Sequence, residues 1–391
     1  MKEAYIVAGY RTAVAKSKRG GFRFMRPDDL AVEVIKGLMA SIPELEASRV
    51  DDCIVGNAVP EAEQGLQIGR IISARALGID APGMTVNRYC ASGLETIAIA
   101  TAKIRSGMAD CIVAGGVESM SLVPASGWKT VPNYTVASTE PDYYLNMGLT
   151  AEAVAKEYNV SREDQDLFSF NSHQKAINAI QSGYFKDGIL PINVEEVFIN
   201  EKGKRATKTY VVDTDEGPRK DSTLEALAKL KPVFAADGTV TAGNASQTSD
   251  GASFVVVMSE KMVNELGLKP IARLVNCACA GVEPRIMGIG PVAAVPKVLQ
   301  QAGMNINDID LFELNEAFAS QSLAVIRKLE LDTEKVNING GAISLGHPLG
   351  CTGSKLTVQI SHDLKRLNKK YGIVTACVGG GQGIAGIIER L

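Results

Sequence analysis

Apolar runs that do not alternate with polar residues recur along the first 118 residues, and segments of helical periodicity separate them. Such runs are typical of strands that are buried on both faces of a sheet. From them we predict strands at 3–9, 50–56 and 109–115, and helices at 28–40, 65–77 and 94–106. The pattern indicates an α/β fold in which helices cover both faces of a sheet.

The last third of the chain repeats this alternation. We predict strands at 271–280, 309–313, 335–338 and 372–377, helices at 292–302, 315–329 and 352–368, and a final strand in IAGIIERL. Residues 93–115 and 353–379 both run from a glycine through a helix and a strand to a glycine cluster. We interpret this similarity as a weak internal duplication.

The stretch between the two regular regions is richer in Ser, Thr, Asn, Tyr and Lys. It is predicted to contain a helix at 150–181 and a loop at 200–221, before a buried strand resumes at 249–258. An insertion of this kind is a natural place for ligand-binding loops. We therefore predict three units: 1–118 together with 249–268, an inserted loop domain at 119–248, and 269–391.

Composition argues against several classes of protein. The 391 residues are 46% hydrophobic and 22% charged, which is normal for a globular chain of two or three domains. A net charge of −3 gives no reason to expect nucleic acid or an anionic membrane as partner. No apolar run reaches the roughly 18 to 20 residues that span a bilayer. The amino terminus resembles no secretory signal, and the last residues match no retention or peroxisomal address.

Cysteine usage indicates the redox compartment. The seven cysteines are odd in number and thinly spread, which argues against a disulfide framework and for a reducing, cytoplasmic setting. The chain has no Cys-x-x-Cys pair and only three histidines, so we expect no structural metal site.

Cys90 is a candidate nucleophile. It lies in NRYCASG, after an extended stretch and at the start of a predicted helix, where unpaired N–H groups favour a thiolate. Packing as a small apolar side chain is the alternative, because that is the commonest role of cysteine. Packing alone is expected for the remaining cysteines of the apolar strands and the histidine loop: Cys53, Cys111, Cys277, Cys279 and Cys351.

His347 and Cys377 are the other candidates for chemistry. His347 lies in the Gly/Pro-rich loop GGAISLGHPLG, which suits a side chain that faces a cleft, although a bond to a backbone carbonyl is the alternative. Cys377 ends a predicted strand and precedes VGGGQG, at a sheet edge where α/β proteins bind ligands. The glycines let an acyl group approach backbone N–H donors. We expect His173 and His362 on helix surfaces.

Two other features have simple structural explanations. Asn315 and Glu316 of NEAF stand at a strand-to-helix junction, where an N-cap and a first-turn acid are expected. Residues 381–386 match G-x-G-x-x-G, but only five residues follow, so no helix and second strand complete a dinucleotide site.

In their order and spacing, the segments around Cys90, Asn315, His347 and Cys377 closely resemble the thiolase family. Further segments that resemble thiolases are AGGVESMS at 114–121, NMGLTAE at 146–152, TAGNASQTSDGA at 241–252 and MGIGP at 287–291. The resemblance covers essentially the whole chain. It implies a five-layered α-β-α-β-α sandwich of two duplicated βαβαβαββ halves with an inserted loop domain, and a homodimer or homotetramer.

The resemblance also implies an acyltransferase that cleaves 3-ketoacyl-CoA with CoA, a reverse Claisen reaction, through an acyl-cysteine. Cys90 would be the nucleophile, His347 would activate it, and Cys377 would be the second acid/base. Asn315 would hold a water that forms one oxyanion hole with His347. The N–H groups of Cys90 and Gly379 would form the other. No metal or redox cofactor is implied, and CoA is a substrate.

For CoA, the matching positions suggest Arg219 near the nucleotide, Ser246 along the pantetheine, and Met147 and Phe318 beside the acyl end. A solvated loop charge is the alternative for Arg219. RKDST and SQTSDG resemble degradative 3-ketoacyl-CoA thiolases of fatty-acid β-oxidation. Short-chain biosynthetic thiolases typically have His-Met where this chain has Asn146-Met147. We favour the degradative type, with an acetoacetyl-CoA thiolase running condensation as the alternative.

Three other classes are weighed against this hypothesis. A non-catalytic thiolase-like acyl-CoA carrier would lack a reactive residue, whereas Cys90, His347 and Cys377 are all present. A decarboxylating ketoacyl synthase is disfavoured by a cysteine at 377 with GGGQG. A cysteine hydrolase would release free acid instead of passing the acyl group to CoA.

Overall fold

The computed structural model describes residues 2–391. Its main strands are β1 (Ala4–Arg11), β2 (Asp52–Gly56), β3 (Gly83–Val86), β4 (Cys111–Ser119), β5 (Ile192–Ile199), β6 (Arg205–Val212), β7 (Ser249–Ser259), β8 (Ala272–Gly281), β9 (Leu311–Leu314), β10 (Tyr371–Val378) and β11 (Gln382–Arg390). Its longer helices are α1 (Pro27–Ala40), α2 (Ile68–Ala76), α3 (Ser92–Arg105), α4 (Met147–Glu157), α5 (Arg162–Gln181), α6 (Gly290–Ala302), α7 (Ala319–Lys328) and α8 (Thr352–Arg366).

Two sheets with related topology form the frame. The first has the order β3-β2-β4-β7-β1. Strand β2 is parallel to its neighbours β3 and β4, and β7 is antiparallel to its neighbours β4 and β1. The second has the order β9-β10-β11-β8. They join edge to edge through the single pair Ile6 and Ala272. The strand predicted at 335–338 is reduced to one parallel bridge between Phe312 and Val336.

The helices divide into three layers around these sheets. Apolar side chains of α3 and α8 share one core with both sheets, so these two helices lie between them. Helices α1 and α2 pack on the outer face of the first sheet, and α6 and α7 on the outer face of the second. The predicted five-layered α-β-α-β-α sandwich is therefore confirmed.

The first turns of α3 and α8 meet backbone to backbone. A Cβ atom added at Gly93 would lie 2.7 Å from the amide nitrogen of Ser354, and one added at Gly353 would overlap the backbone of Leu94. Only glycine permits this approach at either position. The contact explains the glycine that begins each repeat, and it brings together the segments before the two helices, which contain Cys90 and His347.

The region between β4 and β7 differs from the prediction in two places. The helix predicted at 150–181 is two helices, because the chain turns at Asn159 (φ +51°) and Ser161 then caps α5. The loop predicted at 200–221 contains strand β6, which forms a hairpin with β5. Most side chains of β6 are exposed, so the apolar run that identifies a buried strand is absent.

The structure also describes the end of the chain and three kinds of site that the sequence raised. The last segment is strand β11, antiparallel to β8 and β10, so the G-x-G-x-x-G match begins no dinucleotide-binding helix. Within residues 2–391, no helix is long and apolar enough to cross a membrane. In the same range, no group of three or more His, Cys, Asp or Glu side chains is arranged to hold a metal ion.

Candidate active site

Cys90 lies in the short turn Tyr89–Ala91 that leads into α3. Tyr89 has a φ of +45°, an uncommon conformation for a non-glycine residue that indicates a constrained turn. The turn contacts residues 349–351 of the histidine loop and strand β10. The backbone N–H groups of Cys90 and Gly379 both lower the pKa of the Cys90 thiol, so both lie near its sulfur. The thiol therefore faces two amide donors from opposite halves of the molecule.

The ionisation of Cys90 differs from the prediction. Burial raises the pKa of its thiol to about 12, and the two N–H groups lower it by less than burial raises it. The loss of hydration costs the thiolate more than two amide donors recover. At this pKa the thiol form of Cys90 is favoured at neutral pH, so the start of a helix does not by itself produce the thiolate.

His347 is fixed in one tautomer. Gly346, with a φ of +96°, turns the chain so that His347 Nδ1 lies 2.6 Å from Thr352 Oγ1. The Thr352 hydroxyl donates its only proton to the Pro348 carbonyl at 2.9 Å, so it accepts a hydrogen bond from Nδ1–H. The unprotonated Nε2 lies 3.3 Å from Asn315 Nδ2, from which it accepts. The basic nitrogen of the ring is therefore Nε2.

The imidazole of His347 is uncharged. It is 4% exposed. Burial, followed by the positive charge of Lys355, lowers its pKa to about 3. A neutral imidazole with a free Nε2 lone pair can accept a proton. The residue is thus in the state that a general base requires.

Cys377 is fully buried near the end of β10. Burial raises the pKa of its thiol, and ionisation of Cys90 would raise it further, so the two sulfur atoms lie near each other. A Cβ atom at Gly379 would lie 3.5 Å from Tyr89 Cδ2 and 3.8 Å from Met147 Sδ. The glycine turn after β10 therefore lies directly against the Cys90 turn, and both thiols share one space.

An apolar cluster surrounds Cys377. The rings of Phe234 and Phe318 pack edge to face with centroids 6.2 Å apart. Phe234 lies on the backbone of Gly148, where an added Cβ atom would overlap the ring. The cluster makes an apolar wall on the Cys377 side of the site and consists of Met147, Ala151, Phe234, Val240, Ala245, Met287, Ala317, Phe318 and Cys377.

The four residues predicted to contact CoA divide into two groups. Met147 and Phe318 are in the apolar cluster, and the N–H of Ser246 donates to the Ala317 carbonyl at 2.9 Å, so these three lie together beside Cys377. Arg219 is exposed, and its backbone N–H donates to His173 Nδ1 at 3.2 Å. Its guanidinium makes no ion pair or hydrogen bond within residues 2–391, so its contact with CoA stays a prediction.

The NEAF segment is not a helix start. Helix α7 begins at Ala319, so Asn315 does not cap it and Glu316 is not in its first turn. Both side chains are buried. Asn315 reaches His347, whereas the Glu316 carboxylate accepts from Ser172 Oγ, Asn337 Nδ2 and the N–H of Ile343 and so holds the start of the histidine loop. The two structural explanations favoured for this segment are wrong.

Several histidines and cysteines that were not assigned to the site differ from the prediction in how deeply they are buried. His173, expected on a surface, is 2% exposed, and His362 is half-buried. Cys277 and Cys279, expected in the core, are half-buried. The expectation of burial is confirmed for Cys53, Cys111 and Cys351.

Sequence reasoning missed four residues that shape the site: Thr352, Phe234, Met287 and Glu118. Three of them carry no local signal, because the positions they contact are distant in the chain or depend on side-chain conformation. Glu118 does carry one, since it is an acid near the end of the otherwise apolar run CIVAGGVES, all of which is buried. A buried charge at the end of a strand points to a polar site there.

Two thiols, a neutral imidazole and backbone N–H donors in an apolar site define an acyltransferase that works through a cysteine nucleophile. The thiolase amino-terminal domain model matches residues 4–261, and the thiolase carboxy-terminal domain model matches residues 268–390. The chain belongs to the thiolase family. Its substrates are accordingly acyl-CoA and CoA, between which thiolases transfer acyl groups.

Similar proteins cover the whole chain. It is 52% identical over 390 residues to the 3-ketoacyl-CoA thiolase of Bacillus subtilis, with 100% of both chains covered. It is 42% identical over 404 residues to the acetyl-CoA acetyltransferase of Escherichia coli, again with full coverage of both. The crystal structure of the Bacillus anthracis acetyl-CoA acetyltransferase superposes with a TM-score of 0.90 at 40% identity, covering 100% of this chain and 99% of that one.

Proposed function

We propose that the chain cleaves 3-ketoacyl-CoA with CoA, through an acyl thioester on Cys90. The supporting observation is that the Cys90 turn lies against both the histidine loop and the strand that ends near Cys377, with Gly379 beside Tyr89. Similarity to a relative named 3-ketoacyl-CoA thiolase, at 52% identity, supports this direction. Relatives named acetyl-CoA acetyltransferase, at 42 and 43% identity, support condensation of acetyl-CoA as the second candidate.

In the first step, Nε2 of His347 takes the proton of the Cys90 thiol as the sulfur attacks the C3 carbonyl of the substrate. The alkoxide that forms accepts hydrogen bonds from the N–H groups of Cys90 and Gly379. Because the resting thiol and imidazole are both neutral, proton transfer accompanies attack and does not precede it. The product of attack is a tetrahedral adduct on Cys90 beside an imidazolium.

In the second step, the C2–C3 bond breaks, the acyl group stays on Cys90, and the electron pair leaves with the acetyl-CoA enolate. Burial raises the pKa of Cys377, so its thiol is protonated and can donate to C2 of the enolate. The enolate oxygen is stabilised by the His347 imidazolium and by a water held on Asn315. The Asn315 Oδ1 atom supports this role, because it is buried and has no partner within residues 2–391.

In the third step, the Cys377 thiolate takes the proton of the CoA thiol, whose sulfur attacks the acyl-Cys90 carbonyl. The C–S bond to Cys90 breaks, and the imidazolium of His347 returns a proton to the departing sulfur. All groups regain their starting protonation states. The covalent intermediate separates the two CoA molecules in time, so ping-pong kinetics are expected.

CoA binding is proposed for the side of the site formed by the inserted region. Met147 and Phe318 would contact the acyl end, Ser246 the pantetheine and Arg219 the nucleotide. The apolar cluster around Cys377 supports the contacts proposed for Met147 and Phe318, and the position of Ser246 beside Ala317 supports the contact proposed for Ser246. These groups complete the chemistry without a metal or redox cofactor, and CoA acts as a substrate.

We infer a homodimer or homotetramer in a cytoplasmic setting. Strand β3 supports self-association, because within residues 2–391 it pairs only with β2 and its four side chains are only half-buried. Proteins usually cover such an edge. Seven unbridged cysteines support a reducing compartment. Light scattering of the purified protein tests the oligomeric state.

Two variants test the proposed roles. Cys90→Ser is expected to abolish the acyl-enzyme detected by mass spectrometry of the intact protein with acetyl-CoA. Cys377→Ala is expected to acylate at Cys90 but to lose exchange of the α-protons of acetyl-CoA by about 100-fold or more, since it lacks the acid/base. Normal α-proton exchange in Cys377→Ala would disprove its role, and an active Cys90→Ser would disprove the mechanism.

The preferred substrate is tested separately. Cleavage rates are measured with 3-ketoacyl-CoA thioesters of increasing chain length, alongside the condensation of acetyl-CoA. A preference for longer chains supports the degradative type, and a preference for acetoacetyl-CoA supports the short-chain type. Absence of CoA-dependent cleavage in pure protein would instead support a non-catalytic carrier.

A further inference from the structure

Glu118 is a buried acid that the mechanism above does not use. It is the penultimate residue of β4, at the carboxyl end of this interior strand, and is 1% exposed. Its Oε2 atom accepts from the N–H groups of Ala58 and Gly350, each at 2.8 Å. Its Oε1 atom accepts from Gln64 Nε2 at 2.8 Å. Both oxygens are therefore occupied by neighbours.

The partners of Glu118 require an ionised carboxylate. Each is a donor: two backbone N–H groups, the Gln64 amide and the Asn57 amide, whose Nδ2 lies 3.4 Å from Oε1. The amide of Gln64 is fixed in this orientation, because its Oε1 accepts from the N–H of Ser119 at 2.7 Å. A protonated carboxyl would need an acceptor, and these partners offer none. Burial raises the pKa of the Glu118 carboxyl and these donors lower it, so the donors are what hold a negative charge in the buried site.

The carboxylate ties the two halves of the molecule together. Ala58 follows β2 of the first half, whereas Gly350 lies three residues after His347 in the second half. The loop sits so close that a Cβ atom at Gly350 would lie 2.6 Å from Asn57 Cα and 2.8 Å from Glu118 Oε2. The position of the histidine loop over Cys90 thus depends on the bridge from Glu118.

We propose that Glu118 is a positioning residue with two effects: it locks the His347 loop over Cys90, and its negative charge, in contact with Gly350 of the loop that lies against the Cys90 turn, opposes ionisation of the Cys90 thiol. The inference rests on the roles proposed above for Cys90 and His347. After burial, the charge of Glu118 is a further cause that raises the pKa of the Cys90 thiol.

The two effects predict opposite changes in one variant. Glu118→Gln is isosteric, but its amide turns one acceptor into a donor that faces other donors, so kcat is expected to fall about tenfold or more. Removal of the charge is expected to raise the rate of alkylation of Cys90 by iodoacetamide at pH 7.5 about tenfold. Peptide mass spectrometry measures the modification at residue 90. Because a general loss of structure would expose Cys90 and also speed its alkylation, the comparison uses only Glu118→Gln protein whose circular dichroism spectrum and thermal unfolding midpoint match those of the wild type.

Two further variants separate the effect of the Glu118 charge from that of its hydrogen bond to the Gly350 N–H. Glu118→Asp keeps the charge but shortens the bridge, so kcat falls and alkylation of Cys90 is unchanged. Asp250→Asn is a matched control, because Asp250 is a buried carboxylate that accepts from Ser121 and Ser119 but is not among the charges that act on Cys90. Alkylation of Cys90 in Asp250→Asn is expected to equal that of the wild type.

Several outcomes would overturn the inference. Unchanged kcat in Glu118→Asp removes the positioning role, and this holds even if Glu118→Gln fails to fold. Unchanged or slower alkylation in folded Glu118→Gln removes the electrostatic role. An active Cys90→Ser defeats the proposed function itself, whereas an inactive Cys90→Ser together with wild-type behaviour of both Glu118 variants defeats this inference alone.

Discussion

Burial shifts the pKa values of Cys90 and His347 in opposite directions, and both shifts favour the uncharged form. It raises the pKa of the thiol to about 12 and lowers the pKa of the imidazole to about 3, so the uncharged forms of both are favoured. In many cysteine enzymes a thiolate–imidazolium pair is the resting state. In the mechanism proposed above, the pair forms as the sulfur attacks an acyl carbonyl. The nucleophile is thereby held unreactive toward other electrophiles.

This state predicts the pH dependence of Cys90 alkylation. The thiolate fraction of a group with a raised pKa increases with pH, so the rate with iodoacetamide is expected to rise about tenfold per pH unit between pH 7 and 9. A resting ion pair would instead give a fast, nearly constant rate over that range. Alkylation is measured at residue 90 by peptide mass spectrometry, with exposed cysteine in a denatured sample as the reference. A flat profile would contradict the assignment.

The candidate site was predictable from sequence only in part. The segments around Cys90, His347 and Cys377 identify these residues because glycine and a strand or helix end surround each of them. The charge state of Cys90 was not predictable, since it depends on burial by the other half of the molecule. Asn315 and Glu316 were misread for a different reason. A strand-to-helix junction predicts capping, but α7 begins only at Ala319, so neither residue is at a helix start.

At the scale of elements, the α3–α8 contact determines where the reactive groups meet. Gly353→Ala is expected to lower the thermal unfolding midpoint and to reduce activity, because its Cβ atom would overlap the backbone of Leu94, which cannot move aside. Overpacking of this kind typically costs about 1–3 kcal/mol. Differential scanning fluorimetry and the cleavage assay measure the two effects.

Gly281→Ala is the matched control for this prediction. Gly281 ends β8, and a Cβ atom there would meet nothing within 4 Å. Its φ is not in the positive range, so alanine introduces no backbone strain. We expect an unchanged unfolding midpoint and activity. Equal stability of the Gly353→Ala and Gly281→Ala proteins would show that the α3–α8 contact is not constrained in the way described.

Elements with long apolar runs were predicted well, and those without them were not. Strands β4, β7 and β10 are buried along most or all of their length, and each was predicted within a few residues. Strand β6 is exposed on most of its residues and was assigned to a loop. The break between α4 and α5 also escaped prediction, although Asn159 is a residue type that favours positive φ and Ser161 is a favoured N-cap.

At the scale of the whole molecule, the region between β4 and β7 contacts both halves, through Asp215 on Arg11 and Ser172 on Glu316. His173 of α5 illustrates this contact. Its Nδ1 accepts from the N–H of Arg219, and after burial the charges of Arg219 and Lys16 lower its pKa to about 4. Lys16 belongs to the first half of the chain, so the imidazole lies where the inserted region meets that half. A buried neutral histidine at such a junction makes the association sensitive to acid.

The sign of this effect follows from the folded pKa, which is below the ordinary value of 6.5. The contribution of His173 to stability is fully present above pH 6.5 and is lost as the pH falls toward 4. His173→Gln cannot titrate there. Between pH 7 and pH 5 the wild type is therefore expected to lose about 2 kcal/mol more of its free energy of unfolding than the variant. Urea midpoints at the two pH values measure the difference.

His362→Gln is the control, and because His362 is only half-buried, its difference should be smaller. If His173→Gln and the wild type lose stability equally, the imidazole is not held neutral at this junction, and acid sensitivity must originate in groups of the two halves themselves.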